Sequence, residues 1–563
     1  MQSGAFFGGP SADGVAVTVT HGIVRSERWL AGMLLIAGLV LRLVIVWRFR
    51  VNSDEPQHLH VVWAWTQGLL PYRDVFDNHM PLFHMLSVPA LLAVGERATA
   101  VLWMRLLMLP LWGACLGLTA LIGRALFSSR VGVWSAVLTG LFPAFFLCSL
   151  EYRPDVLWTV LWLGAVVIAV GGPVSPARGL ALGLVLGTAA AVSLKTTLML
   201  VSVAIATATT IALAPRGRRP WRRVLRSGLA MTAGLFVVPG FVTLYFAMHG
   251  ALRPFLYGTV WHNLLPGLQA RHGSRLVLLA VPLPAAIAAY AIIRRGSARG
   301  PRRAFLLLLT AAYVGLAAGV WPIVTRQTML PAIPLVFVLA TAVPLAIERP
   351  APHRLGYVLA LLAAGEIVVL LNRRSGHVDQ ARAMTALETG VLRLVRPGEP
   401  VLDPKGDTVF RPRPIYWVFE SITRVRLDRG LIADDFSERL VQTHTSVVAG
   451  EALLLPPRTR AWVYRHYLCV AVHPRAGSLR VAGARFDPTR AGFDVGIPTA
   501  YALVASAGAA HGVLDGQPYE GPRTLAAGFH SYRAAGDEGR VALIWARAAA
   551  EAFSPFDARG NWR

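Results

Sequence analysis

The chain has 563 residues, of which 55% are hydrophobic and only 15% are charged, whereas a soluble protein carries about 25% charged residues. Its acidic residues are unevenly spread, since 11 of the 30 Asp and Glu lie in residues 1–371 and the other 19 in the last 192. This asymmetry excludes a single soluble globular unit, a disordered chain and a fibrous repeat. It predicts a polytopic α-helical membrane protein with a water-facing C-terminal part.

The net charge of +25 does not indicate nucleic-acid binding as the main function. Lys195 and Lys405 are the two lysines, and the other 53 basic residues are arginines. Many of these arginines lie between hydrophobic spans, where membrane topology and anionic lipid explain them. The three cysteines are too few for a disulfide framework.

The apolar stretches predict the spans and the orientation. Each approaches the ~20 residues needed to cross a bilayer. Arginine clusters at 215–226 and 294–303 place the N-terminus in the cytoplasm, and an odd number of spans then places the C-terminal region outside. The first span is interpreted as a retained anchor. The predicted spans are 29–47, 100–122, 131–149, 156–171, 178–194, 196–214, 227–247, 276–293, 304–322, 329–347 and 355–371.

The sequence divides into four predicted parts. Beyond residue 371 the pattern predicts an amphipathic helix at 373–395, helices near 434–442 and 458–467, and strands at 399–403, 445–449 and 453–455. Runs such as SLRVAGARF, TAYALVAS and RVALIWARA, separated by Gly, Pro and Asp, predict a small β-sandwich. The predicted parts are a cytoplasmic arm (1–28), a transmembrane domain (29–371), an extracytoplasmic mixed α/β region (372–475) and a β-rich, sandwich-like domain (476–563).

Six acidic residues of the membrane half fall in two predicted outside loops, and carboxylates close to a bilayer are costly unless they pair or act. Two spans separate the loops, so both should lie at the same face. Ser53 is predicted to cap a helix that ends at Gly68, and Asp54 and His58, four residues apart, would share one face of it. The alternative is that Asp54 and Glu55 only complement the helix dipole. The six residues are Asp54, Glu55, Asp74, Asp77, Glu151 and Asp155.

The first loop resembles that of membrane glycosyltransferases with the GT-C fold, in particular glycosyltransferase family 39, which includes protein O-mannosyltransferases and lipid A aminoarabinose transferases. Three further segments resemble the family in the same order: EYRPD at 151–155, Lys195 in SLKTT, and RQTMLPAIP at 326–334. The resemblance covers residues 30–372. In the first loop the matching residues are Asp54, Glu55, His58, Gly68, Pro71, Tyr72, Asp74, His79, Pro81 and Leu82.

The resemblance implies transfer of a monosaccharide from a polyprenyl-phosphate donor to a hydroxyl acceptor, with inversion at the anomeric carbon. A carboxylate must take the acceptor's proton, and Asp54 is the first candidate with Glu55 the second. Cations must stabilise the phosphate leaving group, a role that suits Lys195, Arg326 and Arg153. The alternatives are that Arg153 only pairs with Asp155 and that Lys195 and Arg326 reach lipid headgroups.

The remaining candidates have weaker signals. Supporting roles around the substrate are assigned to His58, Tyr72, Asp74, His79, Glu151, Asp155 and His262, although structural packing is the preferred explanation for His262. His79 stands where some relatives have lysine. The loop histidines form no tight ligand cluster, so no metal ligand is assigned, and a divalent metal stays open because GT-C enzymes differ in this respect. The aromatic segment 401–420 suits either sugar stacking or a junction between domain and membrane.

The leading hypothesis is therefore an integral glycosyltransferase of the bacterial inner membrane that acts at its outer face. The donor's long apolar tail would explain why the enzyme is embedded in the bilayer. The acceptor is open between protein, lipid and polysaccharide. One alternative is a transporter or flippase of lipid-linked glycans, which would predict an internal repeat that the sequence does not show. Another is a membrane protein that binds glycans without catalysis.

Overall fold

The structure is a computed structural model that describes residues 23–215, 221–265, 280–347, 354–373 and 378–558. Most of the predicted cytoplasmic arm and part of the first arginine cluster lie outside these residues. Every predicted apolar stretch coincides with a helix in the described part of the chain. Six of the described helices are long and apolar enough to cross a membrane, and five more are apolar and shorter.

Most of the described helices of the membrane half are joined by short connections. A 3-10 turn at Arg105–Leu107 interrupts α4. The helices are α1 (Arg25–Arg48), α2 (Asp54–Thr66), α3 (Leu82–Val94), α4 (Ala100–Leu126), α5 (Ser129–Leu141), α6 (Pro143–Cys148), α7 (Pro154–Val170), α8 (Pro176–Val192), α9 (Thr196–Leu213), α10 (Trp221–Met248), α11 (Leu252–Leu256), α12 (Pro282–Arg294), α13 (Gly300–Gly319), α14 (Arg326–Met329), α15 (Ala332–Ile347) and α16 (Arg354–Leu371).

One predicted span is broken into two helices. The stretch 131–149 forms α5 and α6, and Phe142 between them has an extended ψ of 118°. Phe142 precedes Pro143, and the proline ring disfavours helical backbone in the residue before it. The break turns the chain so that the loop after α6 approaches α2.

The C-terminal part begins with α17 (Arg382–Leu394), at the site of the predicted amphipathic helix, and the helices at Phe436–Gln442 and Pro457–His466 confirm the two other predicted helices. The strand predicted at 453–455 is wrong, because its first two residues belong to a 3-10 helix at Ala452–Leu454 and Leu455 follows that helix in a bend. The remaining elements are α18 (Ser421–Asp428), α19 (Phe436–Gln442), α20 (Pro457–His466), α21 (Ala546–Ala550), β1 (Val401–Leu402), β2 (Val447–Gly450), β3 (Tyr467–His473), β4 (Gly477–Arg485), β5 (Gly492–Val495), β6 (Thr499–Ala505), β7 (Gly512–Leu514), β8 (Gln517–Pro518), β9 (Arg523–Leu525), β10 (Gly528–Ala534) and β11 (Val541–Trp545).

Two sheets form this part. The larger has seven strands in the order β1-β2-β4-β11-β6-β9, with β3 also paired to β4, and the smaller has the order β5-β10-β7-β8. Leu503 and Leu543 of the large sheet share one apolar core with Phe493, Leu514 and Tyr532 of the small sheet, which gives the predicted sandwich-like arrangement. The boundary predicted at residue 475 passes through the large sheet, because β1, β2 and β3 precede it.

The C-terminal part is packed directly on the membrane half. Val409 and Phe410 belong to the same apolar cluster as Leu59 and Val62 of α2. The ring nitrogen Nδ1 of His60 also lies 2.8 Å from the carbonyl oxygen of Val409. The segment that follows β1 is therefore held against α2, where the candidate site begins.

Candidate active site

The start of α2 presents two carboxylates, Asp54 and Glu55. The helix spans Asp54–Thr66, and Gly68 adopts a φ of +72° just beyond its end, which confirms the predicted stop. The predicted Ser53 cap is wrong. Glu55 reaches back instead, and its Oε1 accepts a 2.8 Å hydrogen bond from the backbone N–H of Asn52, which satisfies a donor before the first turn.

Glu55 is fully buried, and both of its carboxylate oxygens accept hydrogen bonds. Arg105 donates two hydrogen bonds to it, Nε to Oε2 at 2.7 Å and Nη2 to Oε1 at 2.6 Å. The backbone N–H of Tyr152 donates to Oε2 at 2.8 Å. Arg105 also donates to the carbonyl oxygens of Val46 and Phe49 near the end of α1. The Glu55–Arg105 pair thus joins α1, α2, α4 and the second loop.

Asp54 points to a different and more open environment. Its Oδ2 lies 2.5 Å from Nη1 of Arg153, and its Oδ1 lies 2.8 Å from Nζ of Lys405. About a quarter of its side chain (26%) is exposed. Burial favours the neutral acid, but the positive charges of Arg153 and Lys405 outweigh burial and hold the pKa of Asp54 well below its usual range. Asp54 is therefore an ionised carboxylate that solvent can reach.

Arg153 lies between two carboxylates. Its pair with Asp155, given above as the alternative to a phosphate-binding role, is present, with Arg153 Nε 3.1 Å from Asp155 Oδ2. The same guanidinium also contacts Asp54, so the two loops meet, as expected for loops predicted on the same face of the membrane. Lys195, just before α9, places Nζ 2.7 Å from Asp155 Oδ1 and 5.7 Å from the ring centre of Trp158. A continuous row of ion pairs results, in the order Lys405–Asp54–Arg153–Asp155–Lys195.

Glu151 and Arg326 lie beside this row. Glu151 is buried, and its Oε2 accepts hydrogen bonds from Asn52 (3.2 Å) and Gln327 (2.9 Å). Burial, and next the negative charge of Glu55, raise the pKa of Glu151. Arg326 is exposed and has no ion pair within the described ranges. The structure thus places Arg153 and Lys195 in the row with Asp54, Arg153 in direct contact with it and Lys195 through Asp155, but leaves Arg326 outside the row.

Three histidines and one aspartate form a cluster next to the row. Nδ1 of His58 lies 2.9 Å from Nε2 of His84, and Nδ1 of His84 lies 3.3 Å from Oδ2 of Asp77. His79 contacts the other oxygen of Asp77 at 2.9 Å. Burial, and next the charge of His79, hold the pKa of His58 well below its usual range. Neutral His58 and His84 accordingly pack as a buried hydrogen-bonded pair.

Tyr72 and Asp74, the other predicted site residues of the first loop, stabilise the conformation of that loop. Tyr72 is buried with a φ of +70°, and its hydroxyl donates to the carbonyl oxygen of His79 at 2.6 Å. Asp74 is half-exposed and bonds the Arg73 side chain and the Leu70 N–H, both at 2.8 Å. The two residues fix the turn that precedes His79, and neither one contacts the ion-pair row.

His262 is buried at the contact with the C-terminal part. Its Nε2 lies 3.1 Å from Glu420 Oε1, and its ring stacks on Trp417 at a centroid distance of 5.9 Å. Tyr416 donates a 2.6 Å hydrogen bond to the carbonyl oxygen of Tyr72. These contacts support the junction interpretation for the aromatic segment. Among the described residues, no group of three or more His, Cys, Asp or Glu is arranged to hold a metal ion.

The sequence analysis missed Lys405 and Arg105 as parts of the site. Arg105 carries no signal beyond its position near the start of an apolar span. Lys405 does carry a signal, because it is one of two lysines in an arginine-rich chain, and the other lysine, Lys195, is among the residues predicted for the site.

No family model and no curated protein sequence matches the chain. Among solved structures, it is similar to ArnT from Cupriavidus metallidurans in the apo state, with 13% identity, a TM-score of 0.59, and coverage of 81% of this chain and 98% of that one. ArnT bound to undecaprenyl phosphate gives a TM-score of 0.57 at 13% identity and the same coverages. This likeness confirms the predicted fold class, a multi-pass membrane protein with the GT-C fold and a C-terminal sheet domain.

Proposed function

We propose that the chain is an integral membrane glycosyltransferase that moves a monosaccharide from a polyprenyl phosphate to a hydroxyl acceptor, with inversion and with Asp54 as the general base. The reaction takes place at the outer face of the cytoplasmic membrane. The fold supports the class of enzyme, and a neighbour with that fold was solved bound to undecaprenyl phosphate. The residues around Asp54 support the chemistry.

The observation that carries the proposal is the ion-pair row itself. It holds an ionised, solvent-reachable carboxylate within one cluster of three cations. Asp54, Lys195 and Lys405 have side chains exposed by 26%, 24% and 21%, whereas Asp155 is buried. A hydroxyl acceptor and a phosphate are the two groups that such a site is suited to hold, because one needs a base and the other needs positive charge.

The proposed step is a single displacement. The acceptor oxygen forms a bond to the anomeric carbon as the bond from that carbon to the phosphate oxygen breaks. The acceptor proton passes to Asp54, and the bonding electrons leave with the polyprenyl phosphate, which gains one negative charge. Lys195 and Arg153 stabilise that charge. Attack from the side opposite the leaving group inverts the anomeric configuration.

Glu55 is the weaker candidate for the base. Its oxygens accept two hydrogen bonds from Arg105 and two from backbone N–H groups, so no lone pair faces a substrate. Protonation of Glu55 would also leave Arg105 buried beside a neutral group, which is costly. Asp54 makes one ion-pair contact through each oxygen, with Arg153 and with Lys405, and its side chain is 26% exposed, so an acceptor hydroxyl can approach it.

The test is transfer of label from polyprenyl-phosphate sugars in membranes supplemented with periplasmic extract. Asp54→Asn should lower transfer by at least about 100-fold, since a positioned base contributes roughly that much or more. Asp435→Asn is the matched control, because Asp435 is exposed, pairs with Arg439 and belongs to no part of the candidate site. This variant should transfer normally.

The destination of the label identifies the acceptor as protein, lipid or polysaccharide. Transfer by folded Asp54→Asn at the wild-type rate would remove Asp54 as the base. No transfer by the wild type with any common sugar would favour the transporter or glycan-binding alternatives.

A further inference from the structure

The candidate site contains a cation that the proposed reaction has not yet used. Lys405 reaches Asp54 from 351 positions further along the chain, with Nζ 2.8 Å from Asp54 Oδ1. The same ammonium donates a 2.6 Å hydrogen bond to the hydroxyl of Ser53. Lys405 thus occupies one oxygen of the proposed base.

The loop that carries Lys405 is built around one buried carboxylate. Asp403 Oδ1 accepts hydrogen bonds from the backbone N–H groups of Lys405 and Asp407, both at 3.0 Å, and also from that of Gly406. Asp403 Oδ2 accepts a 2.6 Å hydrogen bond from the Thr408 hydroxyl. Because the loop is fixed through Asp403 and its own backbone, it does not depend on the Lys405 side chain for its shape.

The loop is also seated on α2. Gly406 has a φ of +95°, and a Cβ at this position would lie 2.9 Å from the Cα of Gln57. His60, one turn along α2 from Gln57, contacts the Val409 carbonyl oxygen. The backbone on both sides of Lys405 is therefore held in place, and only the lysine side chain is left to move.

The charges in the row leave one cation in excess. Three cations, Lys405, Arg153 and Lys195, face the two carboxylates Asp54 and Asp155. A phosphodiester carries one negative charge, which would balance the row. Arg153 is held by both carboxylates through different nitrogens, while Lys405 is bound to Asp54 alone among the charged groups of the row and is 21% exposed. Lys405 is consequently the cation that Asp54 can release most readily.

We propose that Lys405 changes partner during the reaction: its ammonium pairs with Asp54 in the empty protein and with the donor phosphate in the loaded protein. The proposal rests on the proposed function. It gives the C-terminal part a direct role at the site, since arrival of the donor would free one oxygen of Asp54 for the acceptor hydroxyl. It also links the two substrates, because Asp54 would become available as a base only after the phosphate is in place.

The test is a double-mutant cycle on binding of undecaprenyl phosphate to the full chain in nanodiscs. Lys405→Met should weaken binding by about 10-fold, as expected for loss of one charge-assisted contact. Asp54→Asn should strengthen binding, because it removes the competitor for the ammonium. In the double variant with Lys405→Met, most of this gain in affinity from Asp54→Asn should disappear, since the effects of substitutions at two interacting residues are not additive.

Lys195 provides the matched control. It does not contact Asp54, so Lys195→Met should weaken binding and leave the gain from Asp54→Asn largely intact. Lys405→Gln serves as a second neutral variant if Lys405→Met is poorly folded. If Asp54→Asn strengthened undecaprenyl-phosphate binding equally in the presence and absence of the Lys405 side chain, the proposed change of partner would be wrong. It would also be wrong if both Lys405→Met and Lys405→Gln bound undecaprenyl phosphate as tightly as the wild type. Failure of the wild type to bind undecaprenyl phosphate would overturn the proposed function as well.

Discussion

Asp54 and Glu55 are adjacent in the chain, yet their carboxylates meet opposite surroundings because neighbouring side chains on a helix point about 100° apart. Glu55 faces the interior and closes a buried pair with Arg105, whose guanidinium is itself unexposed. Asp54 faces Arg153, Lys405 and solvent. The same acidic dipeptide thus supplies one buried structural group and one exposed carboxylate, which is the proposed base.

Glu55→Gln should destabilise the protein strongly, because it leaves the Arg105 guanidinium buried without a counter-charge. Breaking a buried ion pair from one side costs about 3–5 kcal/mol. Asp54→Asn should cost less, since Asp54 is partly exposed and Arg153 keeps Asp155 as a partner. Thermal unfolding in detergent compares the two variants. If Glu55→Gln unfolded at the wild-type temperature but lost transfer, Glu55 would be the chemical group after all.

The sequence predicted the acidic and basic residues of the early loops, but not all of the residues with which they form ion pairs. Arg153, Asp155 and Lys195 were placed together because motifs and topology set their positions. The contacts of Lys405 and Arg105 depend on tertiary packing across distant segments, and no local pattern encodes that packing. Ser53 failed as a cap for the same kind of reason, because its hydroxyl bonds the distant Lys405.

At the scale of elements, α8 and α10 pack through a row of glycines. Gly179, Gly183 and Gly187 lie four residues apart, and a Cβ on any of them would overlap a backbone carbonyl oxygen of α10. Small residues at this spacing let membrane helices approach closely. Lys195 follows α8 within a few residues, so this contact also helps to set its position.

Gly183→Ala should separate α8 from α10, because the methyl group would overlap the carbonyl group of Met231 and a backbone atom cannot move aside as a side chain can. Overpacking of this kind costs about 1–3 kcal/mol. Gly228→Ala is the matched control, since it lies on α10 with open space around its Cβ position. Yield of monodisperse protein and thermal stability report the effect. If Gly183→Ala were as stable as the wild type while Gly228→Ala lost stability, this description of the packing would be contradicted.

The element predictions succeeded where a long pattern decides, and the strand prediction that failed rests on a short pattern. Apolar stretches of membrane length identified helices throughout the described part of the chain. The segment 453–455 was too short for periodicity to separate a strand from a 3-10 turn. The bend at Pro143 follows from local chemistry, but the apolar stretch around it concealed the break.

At the scale of the whole molecule, the candidate site is assembled from parts that are far apart in the chain. The first loop supplies Asp54, the second supplies Arg153 and Asp155, the start of α9 supplies Lys195, and the segment after β1 supplies Lys405. All these parts must lie on one side of the membrane. Orientation is therefore a condition that the proposed reaction has to meet.

The arginine clusters predict which side that is, and cysteine labelling can measure it. The native cysteines at 115, 148 and 469 are all buried, so background labelling should be low. Ala507→Cys, on an exposed turn after β6, should react with a membrane-impermeant maleimide in intact spheroplasts. Ser297→Cys, on the exposed and arginine-rich connection between α12 and α13, should react only after permeabilisation.

Both substitutions replace uncharged, exposed residues, so they leave the charge bias that sets the topology unchanged. The labels lie on opposite sides of the bilayer in the expected arrangement, which makes each one the control for the other. The reverse pattern would place Asp54 and Lys405 in the cytoplasm. A donor presented at the outer face would then be out of reach, and the site would have to act on a cytoplasmic substrate instead.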